Sequence, residues 1–349
     1  MLKRFLPLLI SAAVIFWGCE DEGNPVNPQP TGHALYIVNS NSQTISMIDL
    51  ETDSVYNDLY ITGQWPAEID YFNGSLYIAN SGDNTLQIID IGSGSSKTIE
   101  LGDDRNPVFF EFINDDEVAI SNWLTGTVSF VNIDSEIVEE EIWVGAGPWG
   151  MAYYNGILYI GFSNYDPGSW TYGQGRVAIV DAATRTLLDS IDVGTNPGML
   201  FFDQQGELNV VCIGDYFTEF GSVWRIDPTT NTVLGNFDIG KNPAQEALAQ
   251  DGTVYLAAGG ELDPVTWLPE RGFILAYNSI SETVIHGEAN PLIIEEPTSI
   301  LGAAIGLNSD LYVSSNSADE ALKIDSVGNI IQRYAVGDGP ERIIYVVSW

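Results

Sequence analysis

Leu35-Tyr36-Ile37-Val38-Asn39, Thr44-Ile45-Ser46-Met47-Ile48-Asp49 and Gly63-Gln64-Trp65-Pro66 follow one another near the start of the chain. They make one phrase: an apolar strand, a second strand ending on an Ile-Asp corner, and a Gly-x-x-Pro turn. We read this phrase seven times between Leu35 and Pro340. The strand openings recur at Leu76, Val118, Leu158, Leu208, Val254 and Leu311, and the corners at Asp90, Asn132, Asp181, Asp227, Asn278 and Asp325. A period of about 40 to 50 residues is that of four-stranded propeller blades. Each copy holds four short β-branched, alternating runs and no helical periodicity, so strands are expected throughout.

The fold class expected is therefore all-β, a seven-bladed β-propeller with four antiparallel strands per blade. From the axis outward, strand A follows the proline, B is the Leu-Tyr-Ile run, C ends at the corner and D ends at glycine. The chain enters its first copy at strand B and ends on Arg342-Ile343-Ile344-Tyr345-Val346-Val347, a strand left over after the last turn. Joining that strand to the first blade closes the ring and removes an exposed sheet edge.

Six of the seven corners are followed three residues later by Ser or Thr, as in Asp49/Thr52 and Asp181/Thr184, while Asp325 is followed by Gly328. An Asx side chain that bonds its own backbone forms a hairpin turn, so these residues are assigned to structure. Tyr36, Tyr77, Tyr159, Tyr255 and Tyr312 recur at one place in strand B and are read as a packing repeat.

Lys3 and Arg4, an apolar stretch from Phe5 to Trp17, and Gly18-Cys19 open the chain. The apolar run is too short to span a bilayer and reads as a signal peptide. The domains expected are a signal at 1–18, an acidic, Pro-rich tether at 19–33 and the propeller at 34–349. A small residue before Cys19 makes that cysteine the expected lipidation site, with an ordinary secretory signal as the alternative. The membrane is then contacted only through the lipid anchor. The other cysteine, Cys212, has no partner once Cys19 is lipidated and is expected to be a buried hydrophobe.

Among 349 residues, 48 acidic side chains face 12 basic ones, a net charge of −36. Loss of Lys3 and Arg4 with the signal leaves 10 basic residues and −38. Such a field opposes nucleic acid and anionic lipid surfaces and leaves neutral or cationic ligands. With only His33 and His286 in the chain, no His/Cys cluster can build a transition-metal site. No calcium-loop spacing, phosphate-binding glycine loop, Gly-x-Ser-x-Gly elbow or zinc-protease motif is present. No metal, cofactor or catalytic residue is expected, and the chain is expected to be a monomer.

Loop length points to a working face. B-to-C and D-to-A links emerge on one side of a propeller, and three neighbouring B-to-C links are extended: Ser163 to Gly175, Ile213 to Gly221, and Gly259 to Gly272. Long loops on a rigid scaffold are where binding residues are placed. They carry Tyr165, Asp166, Trp170 and Tyr172, then Asp215, Tyr216 and Phe217, then Glu261 and Trp267. Trp65, Trp149 and Lys241 on D-to-A turns and Trp123 on a B-to-C link share the face. Aromatic faces beside hydrogen-bonding groups suit a sugar, a planar macrocycle or a protein hot spot.

The Tyr-Ile-Val-Asn, Thr-Ile-Ser-Met-Ile-Asp, Thr52 and Gly-x-x-Pro phrase resembles the YVTN-type repeat of bacterial surface and periplasmic seven-bladed propellers. That superfamily includes binding proteins, redox-enzyme subunits and sugar-lactone hydrolases. With a lipoprotein signal and an acidic tether, the chain is similar to surface cobalamin-capture lipoproteins. The resemblance implies a non-enzymatic, outward-facing outer-membrane lipoprotein that holds a corrinoid, glycan or similar small molecule and passes it to an outer-membrane transporter. A periplasm-facing orientation is the alternative address. Two other functions stay open: a scaffold for an envelope protein complex, and a lactonase-type hydrolase using His286, Arg342 and Glu68.

Overall fold

Every strand-B run is apolar on both faces because it is pressed between two sheets, and that double burial builds a ring. A computed structural model describes residues 32–347 except 241, 264, 265, 267 and 268. The signal segment, Cys19 and nearly all of the tether lie outside these residues, as do Lys241 and Trp267.

Blade one contains β1 (His33–Asn39), β2 (Thr44–Asp49) and β3 (Ser54–Ile61). Blade two is β4 (Pro66–Phe72), β5 (Ser75–Asn80), β6 (Thr85–Asp90) and β7 (Ser96–Glu100), and blade three is β8 (Pro107–Phe112), β9 (Glu117–Asn122), β10 (Thr127–Asn132) and β11 (Ile137–Trp143). Blade four is β12 (Pro148–Tyr154), β13 (Ile157–Phe162), β14 (Arg176–Asp181) and β15 (Thr186–Asp192), and blade five is β16 (Pro197–Phe202), β17 (Leu208–Cys212), β18 (Gly221–Asp227) and β19 (Thr232–Gly240). Blade six holds β20 (Pro243–Leu248), β21 (Thr253–Leu262), β22 (Pro269–Asn278), β23 (Thr283–His286) and β24 (Ile293–Glu295). Blade seven is β25 (Ile300–Ile305), β26 (Leu311–Ser315), β27 (Glu320–Ile324) and β28 (Ile330–Ala335), and the chain returns as β29 (Pro340–Val347).

The first sheet runs β29-β1-β2-β3, so the C-terminal strand supplies the inner strand of blade one. Tyr36 lies opposite Ile344 and His33 opposite Val347. The first strand thus begins at His33, one residue before the expected boundary.

Seven apolar clusters fill the seven interfaces between neighbouring blades. Tyr36, Val38 and Met47 pack against Ile69, Leu76 and Ile78 of blade two. Leu35, Ile37 and Ile48 point the other way, onto Tyr312, Ala321 and Tyr334 of blade seven. The period-2 geometry of a strand divides one run between two cores. Alternation with solvent is confined to the outer strands: β3, β7, β11 and β15 carry most of the exposed positions. Of the five strand-B tyrosines, Tyr36, Tyr77, Tyr159 and Tyr312 are buried, as a packing repeat requires.

The corners are hairpin formers. Asp49 Oδ1 accepts from the Glu51 and Thr52 amides, Asp90 Oδ1 from the Ser93 amide and hydroxyl, and Asn132 Oδ1 from the same groups of Ser135. At Asp325, Asn329 takes over from the missing Ser or Thr, donating both its backbone and side-chain N–H.

Two features depart from the sequence reading. Two of the seven turns are not Gly-x-x-Pro: Gly102 stands five residues before Pro107, and in the turn into blade seven Ile300 stands opposite Ser315 where Pro66 stands opposite Asn80. In blade six the outer strand is split, with β23 pairing Ala276–Asn278 of β22 and β24 pairing Gly272–Ile274. There the Gly259–Gly272 link is a long hairpin rather than an irregular loop, since β21 and β22 pair as far as Leu262 and Pro269.

Candidate functional site

The turn before six of the seven inner strands ends in a residue of positive φ. Trp65, Asn106, Gly147, Asn196, Asn242 and Gly339 precede Pro66, Pro107, Pro148, Pro197, Pro243 and Pro340, with φ between 49° and 71°. Glycine and asparagine tolerate this backbone, whereas a bulky aromatic does not. Trp65 is the exception, and its ring is 65% exposed.

The residue after the proline bulges out of the ladder. Pro66 pairs with Asn80 and Glu68 with Ala79, leaving Ala67 unpaired. This bulge turns a side chain toward the axis in six of the seven blades, where Ala67, Val108, Trp149, Ala244, Leu301 and Glu341 line a cavity of about 520 Å3; in blade five the place is taken by Gly198. Its rim comes from the same face of the ring, with Ser81, Asn106, Trp123, Ile213, Tyr216, Asn242 and Ser299. The wall is mostly apolar and aromatic, the composition of a small-molecule site.

Arg342 closes the floor. Its Nε donates to Ala67 O at 3.3 Å and its Nη1 to Ala244 O at 3.1 Å, so one guanidinium joins the inner strands of blades one, two and six. Glu68 Oε2 lies 3.4 Å from Arg342 Nε. Burial pushes the Glu68 carboxyl up to about 7 despite the pull of Arg342. Burial likewise pushes Glu111 up to about 8, with Asp70 and Glu246 adding to it, and raises Glu246. Beside Arg342, Glu341 accepts from the Ser40 hydroxyl at 2.7 Å, and burial raises its pKa too. Among the described residues, no three His, Cys, Asp or Glu side chains form a group able to hold a metal ion.

The candidates read from sequence divide into groups. Trp123, Trp149 and Tyr216 line the axial cavity. Tyr165, Trp170, Tyr172, Tyr216 and Phe217 line a second depression of about 680 Å3 between the loops of blades four and five. Tyr216 belongs to both, and a chain of rings joins them: Trp123 to Tyr165 at 5.1 Å, Tyr165 to Tyr172 at 5.1 Å, and Tyr172 to Tyr216 at 6.1 Å.

Asp166 and Asp215 shape their own loops. Asp166 accepts from the Gly168 amide and the Ser169 hydroxyl. Asp215 Oδ1 accepts from the amides of Phe217, Thr218 and Glu219, and Oδ2 from the Thr218 hydroxyl. Partial burial acts to raise the Asp215 pKa, but these four donors hold it at about 2. Glu261 lies in β21 opposite Arg271.

His286, Arg342 and Glu68 do not come together as one constellation. His286 lies on the outer strand β23, its Nδ1 at 3.1 Å from Asn290 O, whereas Arg342 and Glu68 are on inner strands. Met199, Ile213, Leu301, Asn106 and Asn242 were not singled out from sequence. A signal existed for Leu301, Val108 and Ala244: the place after the turn proline, or after its substitute.

No family model matches the chain, and no curated protein matches it. Solved structures do. Hydrazine synthase of Kuenenia stuttgartiensis is 16% identical with a TM-score of 0.66, covering 80% of this chain and 89% of that one. A proposed 6-phosphogluconolactonase from Bacteroides uniformis is 14% identical with a TM-score of 0.65, over 90% and 99% of the two chains. A streptogramin B lyase is 14% identical with a TM-score of 0.60, over 90% and 91%. At these identities the likeness is one of fold: the chain is a seven-bladed β-propeller similar to those of proteins with unrelated names.

Proposed function

We propose that this protein is a non-enzymatic lipoprotein of the outer cell surface that captures a small ligand in the axial cavity of its loop face and passes it to an outer-membrane partner. The observation that carries the reading is the cavity itself: about 520 Å3, with Trp123, Trp149 and Tyr216 beside the amides of Asn106 and Asn242 and a single guanidinium at its floor. Aromatic faces take the apolar face of a sugar ring or a planar macrocycle, and the few polar groups fix its orientation. A glycan or a corrinoid fits that chemistry. The strongly negative surface disfavours polyanions.

Thermal-shift screening of the purified protein against glycans and corrinoids tests the reading. A stabilising ligand is expected, and its effect should vanish in Trp123→Ala/Trp149→Ala. Stabilisation that survives this double substitution would refute the site.

One observation favours a second reading, a lactonase-type hydrolase. Glu341 and Arg342 stand side by side on the cavity wall, and burial raises the Glu341 pKa, favouring the protonated form that a general acid uses. Lactone turnover abolished by Glu341→Gln would support it, and turnover unaffected by that change would remove it.

A further inference from the structure

We infer that the depression between the loops of blades four and five is a second binding site, for an organic cation of the quaternary ammonium class. Five of its lining residues are aromatic, Tyr165, Trp170, Tyr172, Tyr216 and Phe217, and among the described residues no Lys or Arg lines it. Aromatic faces carry negative charge density and attract a cation held over them, most strongly when the ion is weakly hydrated. Two carboxylates, Asp215 and Glu219, complete the wall. Asp215 is held ionised by its four hydrogen bonds, so its charge is permanent near neutral pH.

The same hydrogen bonds decide against a ligand recognised by its hydroxyl groups. Both Asp215 oxygens already accept from their own loop. The Thr218 hydroxyl is spent on Asp215 Oδ2, and the Thr171 hydroxyl pairs with Ser169 at 2.7 Å. The Tyr216 hydroxyl is engaged with Asn196 and Tyr172. What the depression offers a visitor is therefore charge and π-faces, with few free donors or acceptors. Tyr165, Tyr172 and Tyr216 are held ring against ring, and Trp170 lies within the Asp166–Thr171 turn that a backbone bridge closes, with 81% of its surface exposed. Preorganised rings bind without first being ordered. The net charge of −36 raises the local concentration of any cation.

Calorimetric titration of the purified protein with choline chloride, and in parallel with its neutral isostere 3,3-dimethylbutan-1-ol, tests the inference. Choline is expected to bind saturably and the neutral alcohol not to. Trp170→Ala should weaken choline binding about fivefold or more. Glu219→Gln should weaken it about twofold at low salt, with the difference fading as salt screens the charge. Each change is at an exposed position, and unchanged melting would confirm that the fold is intact. Three results would overturn the inference: no saturable choline binding, equal binding of the neutral alcohol, or choline binding that ignores Trp170→Ala and is lost in Trp149→Ala. The last would move the cation into the axial cavity.

Discussion

Trp65 shows how a single residue can break a rule that its repeats obey. Five other turns place Asn or Gly at the positive-φ position before proline, and only this one carries an indole. A bulky residue held there costs on the order of 1 kcal/mol. Trp65→Asn is therefore expected to stabilise the protein by about 1 kcal/mol in denaturant unfolding, since the exposed ring gives up little packing. No gain, or a loss, would show that the ring makes up for its backbone. Sequence alone offered Trp65 as a ligand contact and said nothing of its conformation, because φ is invisible in a list of residues. The same limit applies to Asp166 and Asp215. Among aromatics they read as ligand contacts, yet their oxygens bond amides two to four residues on. An Asx turn inside a long loop uses the same residue types as a polar binding site.

At the scale of the element, the asparagine ending strand B is a clamp. Asn80 Nδ2 donates to Thr85 Oγ1 and Gln87 Oε1, while its Oδ1 accepts from the Gly63 amide. Asn39 and Asn122 make the corresponding bonds to Thr44 and Ser46 and to Thr127 and Ser129. These three blades have short B-to-C links. In blades four, five and six the residue opposite the turn proline is Phe162, Cys212 or Ala258, and the links are long. Asn80→Ala should destabilise the protein by about 1–3 kcal/mol, because it leaves buried groups without partners. A loss below about 0.5 kcal/mol would rule out the clamp. Strands, corners and the closing strand were legible because an apolar run, an Asx turn and a proline each act locally. The split outer strand of blade six was not. β23 stops at His286 and pairing with β22 resumes only at Ile293, a break that the repeated phrase does not mark.

Seven blades around one axis bring together acids that are distant along the chain. Glu68, Glu111 and Glu246 lie on the inner strands of blades two, three and six, and burial raises the pKa of each. A carboxyl with a pKa above its unfolded value binds more protons when folded, so stability falls as pH rises through that interval. For Glu111 the window runs from the ordinary glutamate value of 4.5 to about 8. Stability should therefore fall between pH 5 and pH 8, by on the order of a few kcal/mol and with it the melting temperature, and the fall should shrink in Glu111→Gln. An undiminished fall in that variant would assign the effect to other groups. The exposed corners act in the opposite sense. Hydrogen bonds lower Asp90, Asp181 and Asp325, whose contribution is present above the usual aspartate range and is lost on acidification below it.

The ring also places the site. Sequence reasoning pointed to the face that carries the axial cavity and named three of the aromatics lining it, but gave the swollen loops the leading role. The bulge at the start of the inner strands, which turns Trp149 and Glu341 toward the axis, appears only once those strands are paired. The central claim is that the captured ligand lies in this axial cavity. Calorimetry of the best ligand from the screen, on Trp149→Ala and Trp170→Ala side by side, tests it most directly. The account predicts that Trp149→Ala weakens binding at least about tenfold while Trp170→Ala leaves it within about twofold. Loss of affinity in Trp170→Ala with full affinity in Trp149→Ala would contradict it.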